Sequence, residues 1–413
     1  MTYIARPIEG LRRLPSVPDQ HGVYLRELLG WRQRELDAVW SRMADDLQLD
    51  ARQRRRADQE VIKLPVVGVL ILPDWIEELM RPRRLTGLIL WHDILLPRRW
   101  VCDPMKDAGA SQPWHLVSIN KPAGYNGAGV TVGVIDSGYD PNFGDLQGTF
   151  AAPFARYADP PYGSTAIGSM VVGAPSDTSS VHHGSKVCVM VAGNTSGVAP
   201  KANVLVAAIE GININSTKAM MLLAIDWLMQ QPTGAHPDRP IGCDIISTSL
   251  ATSDPGSTEQ GAALGDSLAD LDLFNTLLVA AIGNQEPGLD GYRAPATAPT
   301  VIGVGAVDQS LDVAIFSAYG QTPDGLDKPD LVAPGSGLEF PLAGGGHELD
   351  SGTSYAAPVV AGAAALILEK TPALRTNVAN LRNELLSFAS PTNQGNPQNV
   401  GTSGQGVLDL KTL

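Results

Sequence analysis

The feature that most constrains this chain is a series of short runs of mostly apolar and β-branched residues. Residues 130–135, 204–209, 245–249, 277–281 and 301–307 lack the apolar–polar alternation of a strand with one wet face. Strands of this kind are covered on both sides, the condition of a parallel sheet held between two layers of helices. Stretches of helical character, such as 217–231, lie between some of them, and no internal repeat is evident. Residues 111–413 are therefore read as one α/β domain: a doubly wound, mostly parallel sheet with helices on both faces. Ligands of such sheets gather at the carboxyl edge of the strands.

Residues 1–110 read differently. Leu25, Leu28, Leu29, Leu36, Val39, Trp40, Met43 and Leu47 recur mostly at three- and four-residue spacing, which predicts an amphipathic helix. The basic run Arg52-Gln-Arg-Arg-Arg56 is taken as a solvated helix end near acidic neighbours. Residues 61–72 are expected to form a buried strand, 74–80 a short helix capped by Asp74, and 88–96 a second strand. The sum is a small α+β domain with no catalytic constellation. The boundary is placed at 101–112, rich in small and turn-forming residues and so exposed and easily cut.

Composition removes several function classes. The net charge of −13 disfavours nucleic acid as a partner. The longest apolar run, 356–368, is well short of the ~20 residues that span a bilayer, so no membrane association is expected. The first twenty residues carry Arg6, Glu9, Arg12, Arg13 and Asp19 and no apolar leader core. No signal peptide is visible, and a cytoplasmic location or export by a non-classical route is expected. Three cysteines allow at most one disulfide, which suits a reducing compartment.

Three segments carry chemistry. An apolar run ends in Asp136-Ser137-Gly138, which places a carboxylate at the carboxyl edge of the sheet. His182-His183-Gly184-Ser185-Lys186 puts a histidine beside glycine at a helix start. Ser351-Gly-Thr-Ser354-Tyr-Ala-Ala-Pro358 leads into an Ala-rich helix, with Pro358 read as lying in its first turn. Ser354 then sits where exposed N–H groups and the helix dipole favour a developing negative charge.

Together these segments resemble the subtilisin-like serine proteases, the subtilase family, in the order Asp…His…Ser. Flanking strings match as well: Gly197-Val-Ala-Pro-Lys-Ala202, Ser249-Leu250, Ala280-Ala-Ile-Gly-Asn284, Phe316-Ser-Ala-Tyr-Gly320 and Lys328-Pro-Asp-Leu-Val-Ala-Pro-Gly335. The resemblance covers about 300 residues from Trp114 onward and implies peptide or protein substrates. It implies Ser354 as nucleophile, His183 as general base, Asp136 as its orienting carboxylate and Asn284 as oxyanion donor. It further implies that Ser249, Leu250, Ala251, Ile282 and Gly283 bind substrate. Ala251 and Ile282 are expected to narrow the primary pocket towards small and medium side chains. His182 is taken as a loop residue. No cofactor is implied; structural calcium is frequent in the family, but no compact acidic loop here identifies a site.

Several positions depart from the family pattern. Lys186 places a positive charge one turn from His183 and is expected to point to solvent. Cys188 is expected to be a buried core thiol, and Val189 replaces a small residue. Family members often carry a prodomain, so residues 1–110, with a net charge of +2, are expected to act as an intramolecular inhibitor drawn by charge to residues 111–413, with a net charge of −15; a stable accessory domain is the other reading. For the whole chain, two alternatives to a general endopeptidase stand open: a dedicated protease for one leader or precursor, and a pseudoprotease that binds peptide without cutting it.

Overall fold

The computed structural model describes residues 3–7, 21–80, 88–92, 113–147, 154–158, 168–209, 218–236, 239–250, 259–284, 292–322, 324–342, 346–391 and 401–413. The N-terminal part is a four-stranded antiparallel sheet of β1 (Tyr3–Pro7), β2 (Ile62–Leu64), β3 (Val69–Leu72) and β4 (Leu88–His92), in the order β2-β3-β1-β4. It carries helices α1 (His21–Asp46), α2 (Ala51–Glu60) and α3 (Asp74–Met80). The amphipathic reading of α1 holds, with Leu25, Leu28, Leu36, Val39, Trp40, Met43 and Leu47 buried. The basic run lies in α2, which Asp50 starts with a capping box; there Arg54 pairs with Asp45 and Asp58, and Arg56 with Glu60.

Three expectations for this part need correction. Residues 61–72 form a hairpin, β2 and β3, rather than one strand, because the chain turns at Pro65–Gly68 with Gly68 at φ 63°. Asp74 is the first residue of α3 rather than its cap. Strand β1 was not anticipated; it is too short to show a period and is recognisable only by its two partners. The expected boundary at 101–112 and residues 93–96 lie outside the described residues.

The larger part is built on a ten-stranded sheet. After the short helix α4 (Trp114–Ser118) come β5 (Thr131–Asp136), β6 (Phe154–Ala158), β7 (Ser169–Val172) and β8 (Asn203–Ala208). Across the sheet the order is 389–390, 407–408, 331–334, 302–307, 277–281, 245–248, β5, β8, β6, β7. All neighbours are parallel except the outermost pair at each edge. The chain passes from β5 to β8 on one side and later returns to place 245–248 on the other. β5 is therefore the strand at which the winding reverses.

Both faces are covered, as runs without apolar–polar alternation require. One layer holds α5 (His183–Ala192), α8 (Thr353–Lys370) and α9 (Val378–Ser387); the other holds α6 (Lys218–Gln230) and α7 (Glu259–Ala269). Val132 and Val134 of β5 and Val204 and Val206 of β8 face the first layer. Ile135, Leu205 and Ala207 face the second.

The N-terminal part forms a third layer over α6. Leu70 and Leu72 of β3 pack against its own helices, whereas Val69 and Ile71 join α6 residues in one apolar cluster. This accounts for α6, which is buried at every position except Trp227 and Gln230: a helix apolar on all sides is covered on all sides. The contact is thus apolar, and the expected charge attraction reduces, among the described residues, to Arg32–Asp270 at 2.5 Å. Asp226 of α6 reaches across it, accepting the Val66 N–H at 2.9 Å and the Gln230 amide at 2.5 Å.

Burial pushes the Asp226 carboxyl up to about 7, against the opposing effects of the Val66 N–H, Gln230 and Arg32. An acid raised in the folded state holds a proton that the unfolded chain has already released. The stability it contributes is complete below the unfolded value and lost as pH rises through about 7. Asp226→Asn, with the Gln230 amide turned over to accept, is expected to flatten that fall. Urea denaturation at a series of pH values from about 5 to about 8 measures it.

Candidate active site

The register of the sheet assembles the site. Thr248 lies beside Ile135 on one side and Ala280 on the other, so Asp136, Ser249 and the Ile282-Gly283-Asn284 turn all emerge at the same carboxyl edge. Helices α5 and α8 begin at that edge, one with His183 and the other with Thr353 and Ser354.

Asp136 and His183 are both fully buried, and His183 Nδ1 lies 2.7 Å from Asp136 Oδ1. An ionised carboxylate only accepts, so this contact puts the ring proton on Nδ1 and leaves Nε2 as the basic nitrogen. The same Oδ1 accepts the Ser137 N–H at 2.7 Å. A second carboxylate braces this corner: Asp177 accepts from Ser137 Oγ and Ser179 N through one oxygen, and from Ser185 N and Oγ through the other. Strand end and helix start are so close that a Cβ at Gly184 would lie 2.1 Å from the Gly138 carbonyl oxygen. That is the physical reason for glycine after His183. His182 caps α5 in the left-handed region at φ 51°, exposed, its ring 5.5 Å from that of Phe143.

Ser354 is the second residue of α8, which corrects the placement of Pro358: the proline is the helix's sixth residue, beyond the first turn. Lacking an N–H, it cannot donate to the carbonyl four residues back, which is that of Ser354. Ser249 Oγ donates there instead, at 2.6 Å. The Ser354 hydroxyl in turn donates to the Ser249 carbonyl at 3.4 Å, a long bond. Ser249 and Ser354 thus hold each other through side chain and backbone.

Asn284 follows Gly283, whose φ of 112° only glycine adopts readily. Its Oδ1 accepts both the Thr353 N–H at 3.0 Å and the Thr353 hydroxyl at 2.9 Å. Two donors identify that atom as the oxygen and turn Nδ2 to the other side, where the ideal Cβ position at Gly352 lies 3.5 Å away. Leu250 and Ile282 are buried in the apolar layer over α6, and Ala251 lies outside the described residues. Cys188 is fully buried, and burial pushes its thiol well up, in keeping with a core residue.

Lys186 is the clearest surprise: instead of pointing to solvent it is fully buried and ion-paired to Glu348 and Asp350, each at 2.8 Å. Thr353, Asp177 and the Lys186 partners are residues that sequence reasoning did not single out. Thr353 lay inside the quoted Ser351–Pro358 string, but nothing local marks Asp177 or Asp350. Among the described residues no three carboxylate, histidine or thiol groups cluster to hold a metal ion. Asp330, close in sequence to Asp324 and Asp327, is held by Lys328 Nζ at 2.7 Å and the Gly303 N–H at 2.6 Å.

Comparison with known proteins agrees with this architecture. Residues 127–406 match the subtilase family. Alkaline elastase YaB of Bacillus sp. (strain YaB) is 31% identical over 299 residues, which are 70% of this chain and 68% of that protein. Subtilisin E of Bacillus subtilis (strain 168) is 32% identical over 293 residues, 68% and 66% of the two chains. Subtilisin Savinase of Lederbergia lenta is 31% identical over 289 residues, 68% and 92%. The aligned region thus spans about two thirds of the first two relatives. Among solved structures, a cold-adapted subtilisin-like serine proteinase superposes with a TM-score of 0.53 at 24% identity, covering 72% of this chain and 97% of that one. The S41 psychrophilic protease gives 0.58 at 22%, covering 74% and 100%. At these identities the two structures bear on the fold alone.

The exchange between Ser249 and Ser354 yields a direct test. Ser249→Ala strips the Ser354 carbonyl of its donor and is expected to cost about 1–3 kcal/mol in denaturant unfolding. An unchanged midpoint would show that the hydroxyl is not needed there.

Proposed function

The chain belongs to the subtilase family of serine proteases, and on that premise we propose that it is an endopeptidase working through Asp136, His183 and Ser354. The observation that carries the assignment is the buried 2.7 Å contact between His183 Nδ1 and Asp136, at the edge where α8 presents Ser354. Ser354 Oγ attacks the scissile carbonyl while His183 Nε2 takes its proton and then delivers it to the leaving amine. Asp136 holds the ring tautomer and stabilises the imidazolium. Water then attacks the acyl-enzyme by the same route, returning the proton to Ser354. The oxyanion is met by Asn284 Nδ2, oriented by Thr353, and by the Ser354 backbone N–H at the start of α8. These steps draw on side chains and backbone alone.

Substrate is proposed to lie as an added strand along Ser249–Leu250 and Gly283, with Ala251 on the wall of the primary pocket. Residues 1–110 are proposed as a folding partner and intramolecular inhibitor. Supporting this is the apolar layer that β2, β3 and α1 share with α6. Because that contact is apolar, release is expected to follow cleavage near 101–112 rather than added salt.

Ser354→Ala is expected to abolish peptide hydrolysis with the fold intact; proteolysis persisting in that variant would overturn the assignment. Asn284→Ala is expected to lower kcat about 10²–10³-fold, a magnitude known from subtilisins themselves. The intact mass after fluorophosphonate treatment reads both parts of the proposal. One adduct on a chain shortened by roughly 100 residues is the expected result; an adduct on the full-length chain keeps the enzyme but removes the inhibitor role.

A further inference from the structure

The helices that carry the two reacting side chains are joined by a buried ionic cluster that the chemistry above does not use. Lys186 lies three residues beyond His183, on the same side of α5. Its ammonium donates to Asp350 Oδ2 at 2.8 Å and to Glu348 Oε1 at 2.8 Å. The same Asp350 Oδ2 accepts the Tyr355 hydroxyl at 2.6 Å, and Asp350 Oδ1 accepts the Ser351 N–H at 2.8 Å. Tyr355 directly follows Ser354 in α8, and its ring lies 5.4 Å from that of His183. Phe340 fills the space between, 5.0 Å from the Tyr355 ring and 5.7 Å from Lys186 Nζ. Glu348 and Asp350 belong to one strand of a hairpin, 338–341 and 347–350, in which Phe340 lies opposite Glu348.

We propose that Lys186 is a positioning residue for proton transfer: through Asp350 it locks the helix of His183 to Tyr355, and so sets the His183 ring against the Ser354 hydroxyl. The inference rests on the assignment of His183 and Ser354 made above.

Three observations support it. The Lys186–Asp350 pair is expensive, since Lys186 is fully buried and Asp350 is 2% exposed, while the side chain of Glu348 is 40% exposed. A buried ion pair is often no more stabilising than an apolar filling of the same volume; a lysine here is better explained by the geometry it imposes. Although burial opposes the charged form, the hydrogen bonds Lys186 donates to Asp350 and Glu348, with the attraction of both carboxylates, outweigh it and raise Lys186, so the ammonium stays charged. Finally, the cluster ends on the two elements whose separation matters. It meets α5 one turn beyond His183 and α8 at the residue after Ser354. A displacement of about 1 Å between reacting groups costs on the order of 10²-fold in rate.

The test uses the full chain and two variants. Lys186→Met combined with Asp350→Asn removes both buried charges together, so neither is stranded. Tyr355→Phe keeps the ring against His183 and removes only the hydroxyl bond to Asp350. Steady-state kinetics on a chromogenic peptide are read beside the thermal midpoint. The expected result is a fall in kcat of about 10–100-fold for the double variant and about 3–10-fold for Tyr355→Phe, with KM within about twofold. A purely structural cluster would lower the midpoint and leave kcat alone, and folded variants with parental kcat overturn the proposal. Should the double variant not fold, Tyr355→Phe decides by itself on the same criterion. Ser354→Ala is run alongside. Hydrolysis surviving there removes the underlying assignment, whereas inactive Ser354→Ala beside parental kcat in Tyr355→Phe removes this inference alone.

Discussion

Parallel strands all end on the same side of their sheet, and the gathering of polar side chains at the carboxyl edge depends on that constraint. It forces each connection to cross back over a face, so helices cover both sides and the strands become mostly apolar. It also delivers Asp136, Ser249 and Asn284 to one edge although they are far apart in the chain. The reversal of winding at β5 then opens space beside Asp136, where α5 and α8 begin. The gathering of these side chains at one edge is a consequence of the topology.

Most polar groups at this edge are held by one another. Asp136 fixes the His183 ring, Asp177 braces Ser137 and Ser185, and Thr353 orients Asn284. Ser249 replaces the hydrogen bond that Pro358 deletes. Buried polar groups are costly unless satisfied, so such a network has few alternative arrangements. Lys186 and Asp350 extend the same logic to the packing of the two helices.

The N-terminal layer shows how cover and core can share a surface. β3 is apolar on both sides because Leu70 and Leu72 serve its own helices while Val69 and Ile71 serve α6. Asp226 is a buried polar group within that contact, beside the Arg32–Asp270 pair, and its raised carboxyl is expected to make the contact sensitive to pH.

The linear sequence determined the doubly wound class and the amphipathic α1, and it marked out the strings that hold Asp136, His183, Asn284 and Ser354. Each leaves a local mark: a period, a run of β-branched residues, or a short string whose members act together. Only the tertiary structure decided the rest. β1 exists through pairing with residues 65 to 89 positions away. Lys186 looked like a solvated charge because its partners, Glu348 and Asp350, lie about 160 residues further on. The cover over α6 looked electrostatic because composition counts charges without showing which face they occupy. A side chain's burial depends on what packs against it, and where those neighbours come from distant segments no local pattern records them.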